Sequence, residues 1–393
     1  MSRVSFRAAG PALAAALVLS ALPAAAQSVL SSRGLGYPVE ALDARARGMG
    51  GVTVGLAEPH FSLINPAAPV GLPAPGVSVT FQPDRYEASG PGAETSGTTV
   101  RFPHLQVAFP VGARLTGSVG YGAFLDQHWR VEVADSLDLP SGRVGVNDLF
   151  ISAGALARFR ASVGWRASDR LALGLAADVV TGAVRDSAVR RVGEGLLEAR
   201  SGVTYRYGGI GASAGVRWRP LEALTLAGSV TGGGEITAES QDTTGEALEK
   251  SYPRPLEVDA GASARVSQNT VVALSGRWVG WSAAEDELAG SGGAQDAMSA
   301  SLGVEYEGFS LLGRTAPLRL GARYARLPFR WGSAAEGNEF PVERAVSAGA
   351  GFRLAGGLAR LDAAAERGSR GGGSAGFEEP FWRFSFSLSV LGR

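Results

Sequence analysis

The feature that most constrains this chain is a side-chain period of two near its C-terminal end. Over residues 382–390, large apolar residues alternate strictly with polar ones. In an extended strand, successive side chains point to opposite faces, so one face of this segment is wholly apolar and the other is polar. The apolar face carries Trp382, Phe384, Phe386, Leu388 and Val390, and the polar face carries Arg383, Ser385, Ser387 and Ser389.

The same alternation recurs upstream with charges on the polar face. Residues 256–266 place Glu257 and Asp259 opposite an unbroken apolar row, and residues 318–324 do the same with Arg319 and Arg323. A soluble β-sandwich buries its apolar faces together, whereas a membrane barrel turns them to lipid and keeps the polar faces inside. The alternation fits both classes, so the spacing between strands must decide.

Period-two segments from residue 76 onward predict about fourteen strands, an even number typical of bacterial outer-membrane barrels. Short connections such as residues 167–169 alternate with longer polar ones such as residues 285–295. Tight periplasmic turns and wide outer loops produce this alternation, which predicts an all-β, transmembrane antiparallel β-barrel over residues 76–393 with both termini in the periplasm. The predicted strands lie near residues 76–87, 97–109, 113–132, 143–166, 169–186, 198–218, 222–241, 250–267, 269–283, 296–309, 315–330, 340–354, 357–369 and 379–391.

The tryptophans are distributed as two interfacial girdles would be. Two of them lie beside short turns and five near long loops. The first group is Trp165 and Trp218, and the second is Trp129, Trp278, Trp281, Trp331 and Trp382.

The first residues predict export. Arg3 and Arg7 precede an apolar run over residues 13–22, and small residues follow up to Ala26. This order is typical of a secretory signal peptide, and the run is shorter than the ~20 residues that a spanning helix needs. We therefore predict a signal peptide over residues 1–26 and an outer-membrane location in a Gram-negative-type bacterium.

Residues 27–75 have no stable period and are rich in proline and small residues. A segment this short and proline-rich is poorly suited to fold alone. We predict that it is a small N-terminal plug that packs inside the lumen of the barrel.

Composition and motifs argue against catalysis. The chain has no cysteine, and acidic and basic residues balance at 37 each, which argues against a nucleic-acid partner. Gly211-Ala212-Ser213-Ala214-Gly215 matches the pattern of a hydrolase nucleophile elbow, but it lies in a strand-like run with no later histidine. His60, His104 and His128 lack metal-ligand spacing. We expect no enzyme activity, no cofactor and no metal site.

The N-terminal segment resembles the outer-membrane transporter superfamily of hydrophobic compounds, of which FadL and TodX are the types. Three pieces match in order, and they contain Gly34, Gly36, Gly48, Gly50, Gly51, Asn65, Pro66 and Ala67. The pieces are Ser31-Ser32-Arg33-Gly34-Leu35-Gly36, Ala46-Arg47-Gly48-Met49-Gly50-Gly51 and Asn65-Pro66-Ala67. The resemblance implies a hatch inside a fourteen-stranded barrel and passive uptake of small hydrophobic molecules such as fatty acids or hydrocarbons.

Two further groups of residues are candidates for the transport path. Phe61, Leu63 and Ile64 offer an apolar lining in a segment otherwise rich in small residues. Gly117, Gly120 and Gly122 cluster in the third predicted strand, where glycine permits a bend or a close backbone approach. In the superfamily the third strand kinks inward and opens the wall sideways, so these glycines mark either such an opening or the place where the wall admits the plug.

The function has a rival within the same fold. The chain ends Leu391-Gly392-Arg393 rather than in an aromatic residue, and Glu379-Pro380-Phe381-Trp382-Arg383 is similar to the end of the PorV-like branch, whose members handle secreted proteins. An accessory barrel for protein secretion or surface assembly is therefore the alternative, with secreted proteins as partners. Under either reading we expect contact with outer-membrane lipid, lipopolysaccharide and the barrel-assembly machinery, and under the first a hydrophobic small-molecule ligand.

Overall fold

The computed structural model describes residues 28–90, 93–139, 142–193, 197–242, 248–291, 293–311, 313–330, 340–372 and 377–392. The predicted signal peptide and Trp331 lie outside these residues. The strands are β1 (Tyr37–Pro38), β2 (Gly76–Gly90), β3 (Ala93–Val111), β4 (Leu115–Asp126), β5 (Trp129–Leu139), β6 (Gly142–Arg166), β7 (Leu171–Val192), β8 (Leu197–Leu221), β9 (Leu224–Gly232), β10 (Glu235–Asp242), β11 (Glu249–Pro253), β12 (Glu257–Ser267), β13 (Thr270–Val279), β14 (Ala297–Tyr306), β15 (Ser310–Leu311), β16 (Arg314–Thr315), β17 (Leu318–Arg326), β18 (Val342–Leu354), β19 (Ala359–Gly371) and β20 (Glu378–Leu391). Short helical turns occupy Val29–Ser32, Ala44–Gly48, Trp281–Ala284, Glu285–Leu288, Ala289–Ser291 and Ala355–Gly357.

The barrel is closed and antiparallel, and it consists of fourteen staves. A stave is one passage of the chain along the barrel wall. Eleven staves are single strands, and three are strand pairs with a short break: β4 with β5, β9 with β10, and β11 with β12. Pairing of β2 with β20 joins the first stave to the last. The prediction of a fourteen-stranded barrel is confirmed, and every predicted strand corresponds to one stave in the same order. The hairpin of β15 and β16 lies in the connection between β14 and β17.

The wall turns its apolar faces outward. Leu175 on β7 is 69 % exposed, whereas Asp178 three residues further is 1 % exposed. On β17, Leu320 is 66 % exposed and its neighbour Arg319 is 2 % exposed. This inversion of the usual burial order is the arrangement of a barrel whose outer face meets lipid. The period-two segments thus mark lipid-facing and lumen-facing rows as predicted.

The two ends of the barrel differ in their connections. Six connections between staves lie at the end of the barrel that holds residue 76. We call this end the short-turn end, and its shortest connections are residues 222–223 and 268–269. At the other end, the chain extends mostly as strand, with β6 and β8 reaching 25 residues each. About 10 residues cross a bilayer, so these staves project well beyond it.

The girdle prediction is wrong for one tryptophan. Trp165, Trp218 and Trp382 are 45 %, 47 % and 43 % exposed on the outer face, as a girdle requires. Trp281 is 2 % exposed and packs in the lumen between aromatic rings. The reason is that residues 281–284 leave the strand and form a helical turn, so the period of two no longer sets the direction of this side chain.

Residues 28–72, here called the N-terminal segment, lie against the inner face of the wall. Most of their side chains are buried. Contacts reach strands all around the barrel, including those from Asn65 to β8 and from the helical turn Ala44–Gly48 to β17, β18, β19 and β20. Among the described residues, no helix has both the length and the apolar character needed to cross a membrane.

Candidate functional site

A stretch of wall between β3 and the third stave, which consists of β4 and β5, is unpaired. Among the described residues, their pairing runs from Val111 with Leu115 to His104 with Gly122 and stops there. Beyond that point β3 continues to pair with β2, and the third stave continues to pair with β6. The two neighbours therefore diverge, which leaves an interval in the wall between residues 93–103 and residues 123–139.

An irregularity in the third stave begins where the interval begins. Its register against β6 shifts between Ala123 and Leu125, which is a β-bulge at Phe124. A bulge bends the strand and turns a side chain to a new direction. As a result Phe124 and Leu125, adjacent in sequence, are both buried.

The N-terminal segment covers part of the free edge. β1 pairs with the end of β4, placing Tyr37 opposite Asp126 and Pro38 opposite Leu125. The backbone N–H of Val39 donates to the Phe124 carbonyl at 2.9 Å. Proline suits this position because an edge strand tolerates a residue without an N–H.

A polar contact bridges the interval on the lumen side. The Arg101 guanidinium of β3 donates to Asp126 of β4 at 2.7 Å and to Asp84 of β2 at 2.6 Å. Gln127, which follows β4, donates to the Leu35 carbonyl at 2.8 Å. The interval is therefore closed by side chains and by the N-terminal segment rather than by strand pairing.

A cavity of about 80 Å³ lies in the lumen beside this interval. A second cavity of about 30 Å³ shares part of its lining, including Phe124. Phe124 stacks on Trp281 at 6.3 Å, and Trp281 meets the edge of Phe329 at 5.2 Å. The large apolar residues around the larger cavity include Tyr37, Val39, Phe124, Val279, Trp281 and Leu327.

Paired charges form the other side of the larger cavity. Glu40 accepts two hydrogen bonds of 2.7 Å from Arg323, and Arg47 lies 3.4 Å from the same carboxylate. Burial alone would raise the pKa of Glu40, but Arg323, Arg47 and Arg277 outweigh burial and hold that pKa below its usual value. The Tyr37 hydroxyl donates to Glu343 at 2.6 Å.

The inward arginines bond to acidic groups of the wall and of the N-terminal segment. Arg319 donates to Glu305 at 2.6 Å, and Arg45 of the segment donates to the same carboxylate at 3.0 Å. Arg277 lies 2.5 Å from Glu257. Pairing of this kind is what a buried charge requires.

The glycines that carry the family resemblance permit close packing. Gly34 and Gly36 have φ angles of 54° and 101°, and a Cβ on either would overlap Phe329 or the Asp126 carbonyl. Gly50 has a φ of 76° and lies against the backbone of β17, with Gly51 beside Arg323 and Gly48 beside Gly349. The four positions with positive φ favour glycine because a side chain there would strain the backbone, whereas at Gly48 glycine permits a close approach to the wall.

Asn65, Pro66 and Ala67 form a turn that rests on the wall. The Asn65 side chain accepts a hydrogen bond from the Ala67 N–H at 2.8 Å and donates to the Val216 carbonyl at 3.0 Å. A Cβ on Gly215 of β8 would overlap the Asn65 side chain. The second glycine of the hydrolase-like motif is therefore a packing position for this turn.

The candidate lining residues separate into two places. Leu63 and Ile64 border the 30 Å³ cavity, whereas Phe61 packs with Leu72 and Ala108 near the short-turn end. A Cβ on Gly120 or Gly122 would meet the Leu63 side chain, and one on Gly117 would meet Phe109. Gly120 and Gly122 thus admit the N-terminal segment immediately before the unpaired interval.

Ser213 is an internal hydrogen-bonding residue in this structure. Its hydroxyl lies 3.0 Å from Asp178 and 2.6 Å from Arg160. Two of the histidines bond to different groups, His60 to the Glu58 carbonyl and His128 to Asp126. Within the described chain, no group of acidic residues and histidines is arranged to hold a metal ion.

Sequence reasoning missed the aromatic side of the cavity. Phe124-Leu125 places two large apolar residues in succession, which interrupts the period of two. That interruption was the available signal for the bulge, since a regular strand would turn one of these side chains outward. Nothing comparable in the sequence marks Trp281 as a lumen residue.

A family model matches residues 12–246, and the family is BamG. The chain belongs to the BamG family. Among proteins of curated function, none matches this BamG-family chain. The match covers the N-terminal segment and the wall as far as β10.

Solved structures share the fold at low sequence identity. A FadL homologue of Pseudomonas aeruginosa is 13 % identical, with a TM-score of 0.60 over 91 % of this chain and 99 % of its own. The Ralstonia pickettii toluene transporter TbuX is 14 % identical, with a TM-score of 0.60 over 90 % and 99 %. The monoaromatic hydrocarbon channel CymD is 15 % identical, with a TM-score of 0.58 over 91 % and 98 %. These matches confirm the resemblance to the FadL and TodX superfamily at the level of fold, and the PorV-like branch stays a prediction.

Proposed function

We propose that this protein is a non-enzymatic outer-membrane channel for passive uptake of small hydrophobic molecules. In this proposal residues 1–26 are a signal peptide, the N-terminal segment is a plug, and both termini lie in the periplasm. The observation that carries the proposal is the unpaired interval beside an aromatic lumen cavity. The likeness to solved hydrocarbon channels supports it.

The charge pairing supports a neutral ligand. The buried arginines beside the cavity already bond to acidic groups, as Arg323 does to Glu40, Arg277 to Glu257 and Arg101 to Asp126. A carboxylate would have to displace one of these buried partners at a large electrostatic cost. A neutral aromatic or aliphatic hydrocarbon needs only the apolar side of the cavity, so hydrocarbons fit better than fatty acids.

The size of the cavity implies that passage requires movement. A cavity of about 150 Å³ holds one benzene molecule, and the lumen cavity is about 80 Å³. The N-terminal segment forms part of the lining through Tyr37, Pro38 and Val39. Displacement of β1 from the edge of β4 would enlarge the cavity and open the interval towards the bilayer.

A reversible cross-link tests this step. Pro38 and Leu125 are directly paired, and because the adjacent pair Val39–Phe124 is hydrogen-bonded, they form a non-hydrogen-bonded pair. Such pairs have Cα atoms about 4.5 Å apart, within the range of about 4.4–6.8 Å that a disulfide spans. The chain has no cysteine, so Pro38→Cys/Leu125→Cys forms one defined bond.

We expect oxidised Pro38→Cys/Leu125→Cys to take up toluene into proteoliposomes no faster than empty vesicles. Reduction should restore uptake, and the reduced protein controls for the two substitutions themselves. Equal uptake in both redox states would exclude movement of β1 from the mechanism. No toluene uptake by the wild-type protein would leave the accessory barrel for protein secretion as the better proposal.

Orientation is tested on intact cells. Epitope tags inserted at residues 290–293 or 371–373 should be accessible to an external antibody, because β13 leads to β14, and β19 to β20, at the end away from the short turns. A tag at Pro220, at the short-turn end, should be reached only after the outer membrane is permeabilised. The reverse pattern would place the termini outside.

A further inference from the structure

A row of arginines crosses the outer face of the barrel on neighbouring staves. Arg326 of β17, Arg344 of β18 and Arg367 of β19 are all exposed and occupy the outward-facing positions of their strands. Arg326 also borders the larger cavity and donates to the Gln295 side chain at 3.2 Å, so it keeps fewer free N–H groups than the other two. Arg344 pairs with Tyr324, and Arg367 pairs with Val346, so each arginine is the diagonal neighbour of the next. Diagonal neighbours lie about 7–8 Å apart.

Two of these side chains stack on aromatic rings. The Arg367 guanidinium lies 5.3 Å from the Trp382 ring, and the Arg344 guanidinium lies 5.9 Å from the Tyr324 ring. Trp382 and Tyr324 are themselves 43 % and 45 % exposed on the outer face. Stacking fixes the plane of a guanidinium and leaves its N–H groups free to point outward.

Acidic groups on this face bond elsewhere. Glu87 lies 3.3 Å from Arg85, and Glu378 accepts a hydrogen bond from Ser369 at 3.0 Å. No carboxylate of the described residues lies within ion-pair distance of Arg344 or Arg367. Cations on a lipid-facing wall at the level of aromatic side chains meet lipid headgroups, and these two retain their donors for a phosphate.

An apolar groove lies beneath the arginines. It has a volume of about 570 Å³, a floor of Ala350 and Ala363, and walls that include Phe81, Phe352 and Phe386. Ala363 is four residues from Arg367, which is about 13 Å along a strand. The groove thus extends from the headgroup level into the depth of the acyl chains.

We propose that this surface binds a phosphorylated glycolipid with several acyl chains, the lipid A part of lipopolysaccharide. Arg344 and Arg367 would hold phosphate oxygens, Arg326 would hold a second phosphate, and one acyl chain would lie over Ala350 and Ala363. Three arginines spaced in this way match a headgroup with more than one phosphate better than they match a single phosphodiester. The choice of a lipid from the outer leaflet rests on the orientation proposed above, which places Trp382 on the cell-surface side.

The test is a binding measurement on the purified full-length barrel in detergent. We expect wild-type protein to bind bisphosphorylated lipid A, and Arg344→Gln/Arg367→Gln to weaken binding at least about tenfold through loss of two charge-assisted contacts. Ala363→Phe, which fills the groove, should also weaken it. Arg185→Gln/Arg206→Gln is the matched control, because both residues are exposed arginines on the outer face of β7 and β8, across the barrel.

An equal loss of lipid A affinity in the two double variants would mean that the total positive charge of the barrel, and not this surface, determines binding. That result would overturn the proposed site. Phosphatidylglycerol that binds as tightly as lipid A would overturn the assignment to lipid A. Heat-modifiable migration checks that each variant is folded. Toluene uptake by Arg344→Gln/Arg367→Gln in vesicles without lipid A should equal that of wild type, so this proposal and the proposed channel function fail separately.

Discussion

The N-terminal segment meets the wall in two different ways. Against β17 and β18 it packs backbone to backbone, and Ser347 both donates to the Gly48 carbonyl and accepts from the Gly50 N–H. Against the third stave it has the short pairing of β1, a side-chain contact from Gln127, and packing of Leu63 against Gly120 and Gly122. The wall itself differs likewise, because β18 and β19 pair without interruption from Val342 to Leu354 while the third stave is bulged and partly unpaired.

This difference indicates where the barrel can open. Backbone packing against glycine and buried ion pairs are costly to break, since each leaves unsatisfied groups behind. Two strand residues at a free edge hold a segment far less firmly. We therefore expect the N-terminal segment to stay in place at β17 and β18 while it moves at the third stave.

Removal of the N-terminal segment, and with it both kinds of contact with the wall, should have the largest effect on ion conductance. Deletion of residues 31–67 is expected to leave a barrel that inserts and is heat-modifiable, because the fourteen staves pair without this segment. Its lumen should then conduct ions, which single-channel recording in planar bilayers would measure. A conductance equal to that of the wild type would mean that the segment does not occlude the lumen.

A smaller effect on ion conductance is expected from one added side chain at the contact between the N-terminal segment and β17. A Cβ on Gly321 of β17 would overlap the backbone of Met49 and Gly50, and overpacking of this kind costs about 1–3 kcal/mol. Gly321→Val should therefore shift the segment and raise ion conductance. Gly208→Val on β8 is the control, because a Cβ there meets nothing within 4 Å. Unchanged conductance in Gly321→Val would show that the contact with β17 does not hold the segment.

Loss of one carboxylate charge at the contact with β17 should be the mildest change that still distinguishes the two contacts. Glu40→Gln removes the negative charge that Arg323 and Arg47 share, but the amide keeps the size of the side chain and its oxygen can still accept a hydrogen bond from Arg323. Because the other contacts with β17 and β18 remain, we expect brief openings rather than a steady conductance. Glu198→Gln, at an exposed ion pair with Arg191, should behave as wild type.

The same ion pair has a defined dependence on pH. The pKa of Glu40 is held below its ordinary value by Arg323, Arg47 and Arg277 against the effect of burial. Its stabilising contribution is therefore present above the ordinary glutamate pKa of about 4.3 and is lost only as the pH falls through the lowered value. If the wild-type channel already opens more often as the pH falls from 7 to 5, then a group other than Glu40 controls the opening.

Much of the wall was predictable from local pattern. Alternation from residue 76 onward gave fourteen strands in the right order, because a barrel in lipid requires every stave to carry an apolar outer row and a polar inner row. The Asn65-Pro66 turn was also predictable, since an Asn side chain bonds nearby backbone and proline fixes the chain direction. The position of Trp281 was not, because a helical turn replaced the strand on which its outward direction depended.

The sequence by itself determined the number and facing of the staves, because these follow from a repeat of two residues that each strand carries alone. Only the tertiary structure decided which surfaces meet across the lumen. Phe124, Trp281 and Phe329 come together from three separate staves and connections, and Gly321 is glycine because Gly50, 271 residues earlier in the chain, lies against it. Contacts between distant residues are set by closure of the barrel around the N-terminal segment, and no local period records them.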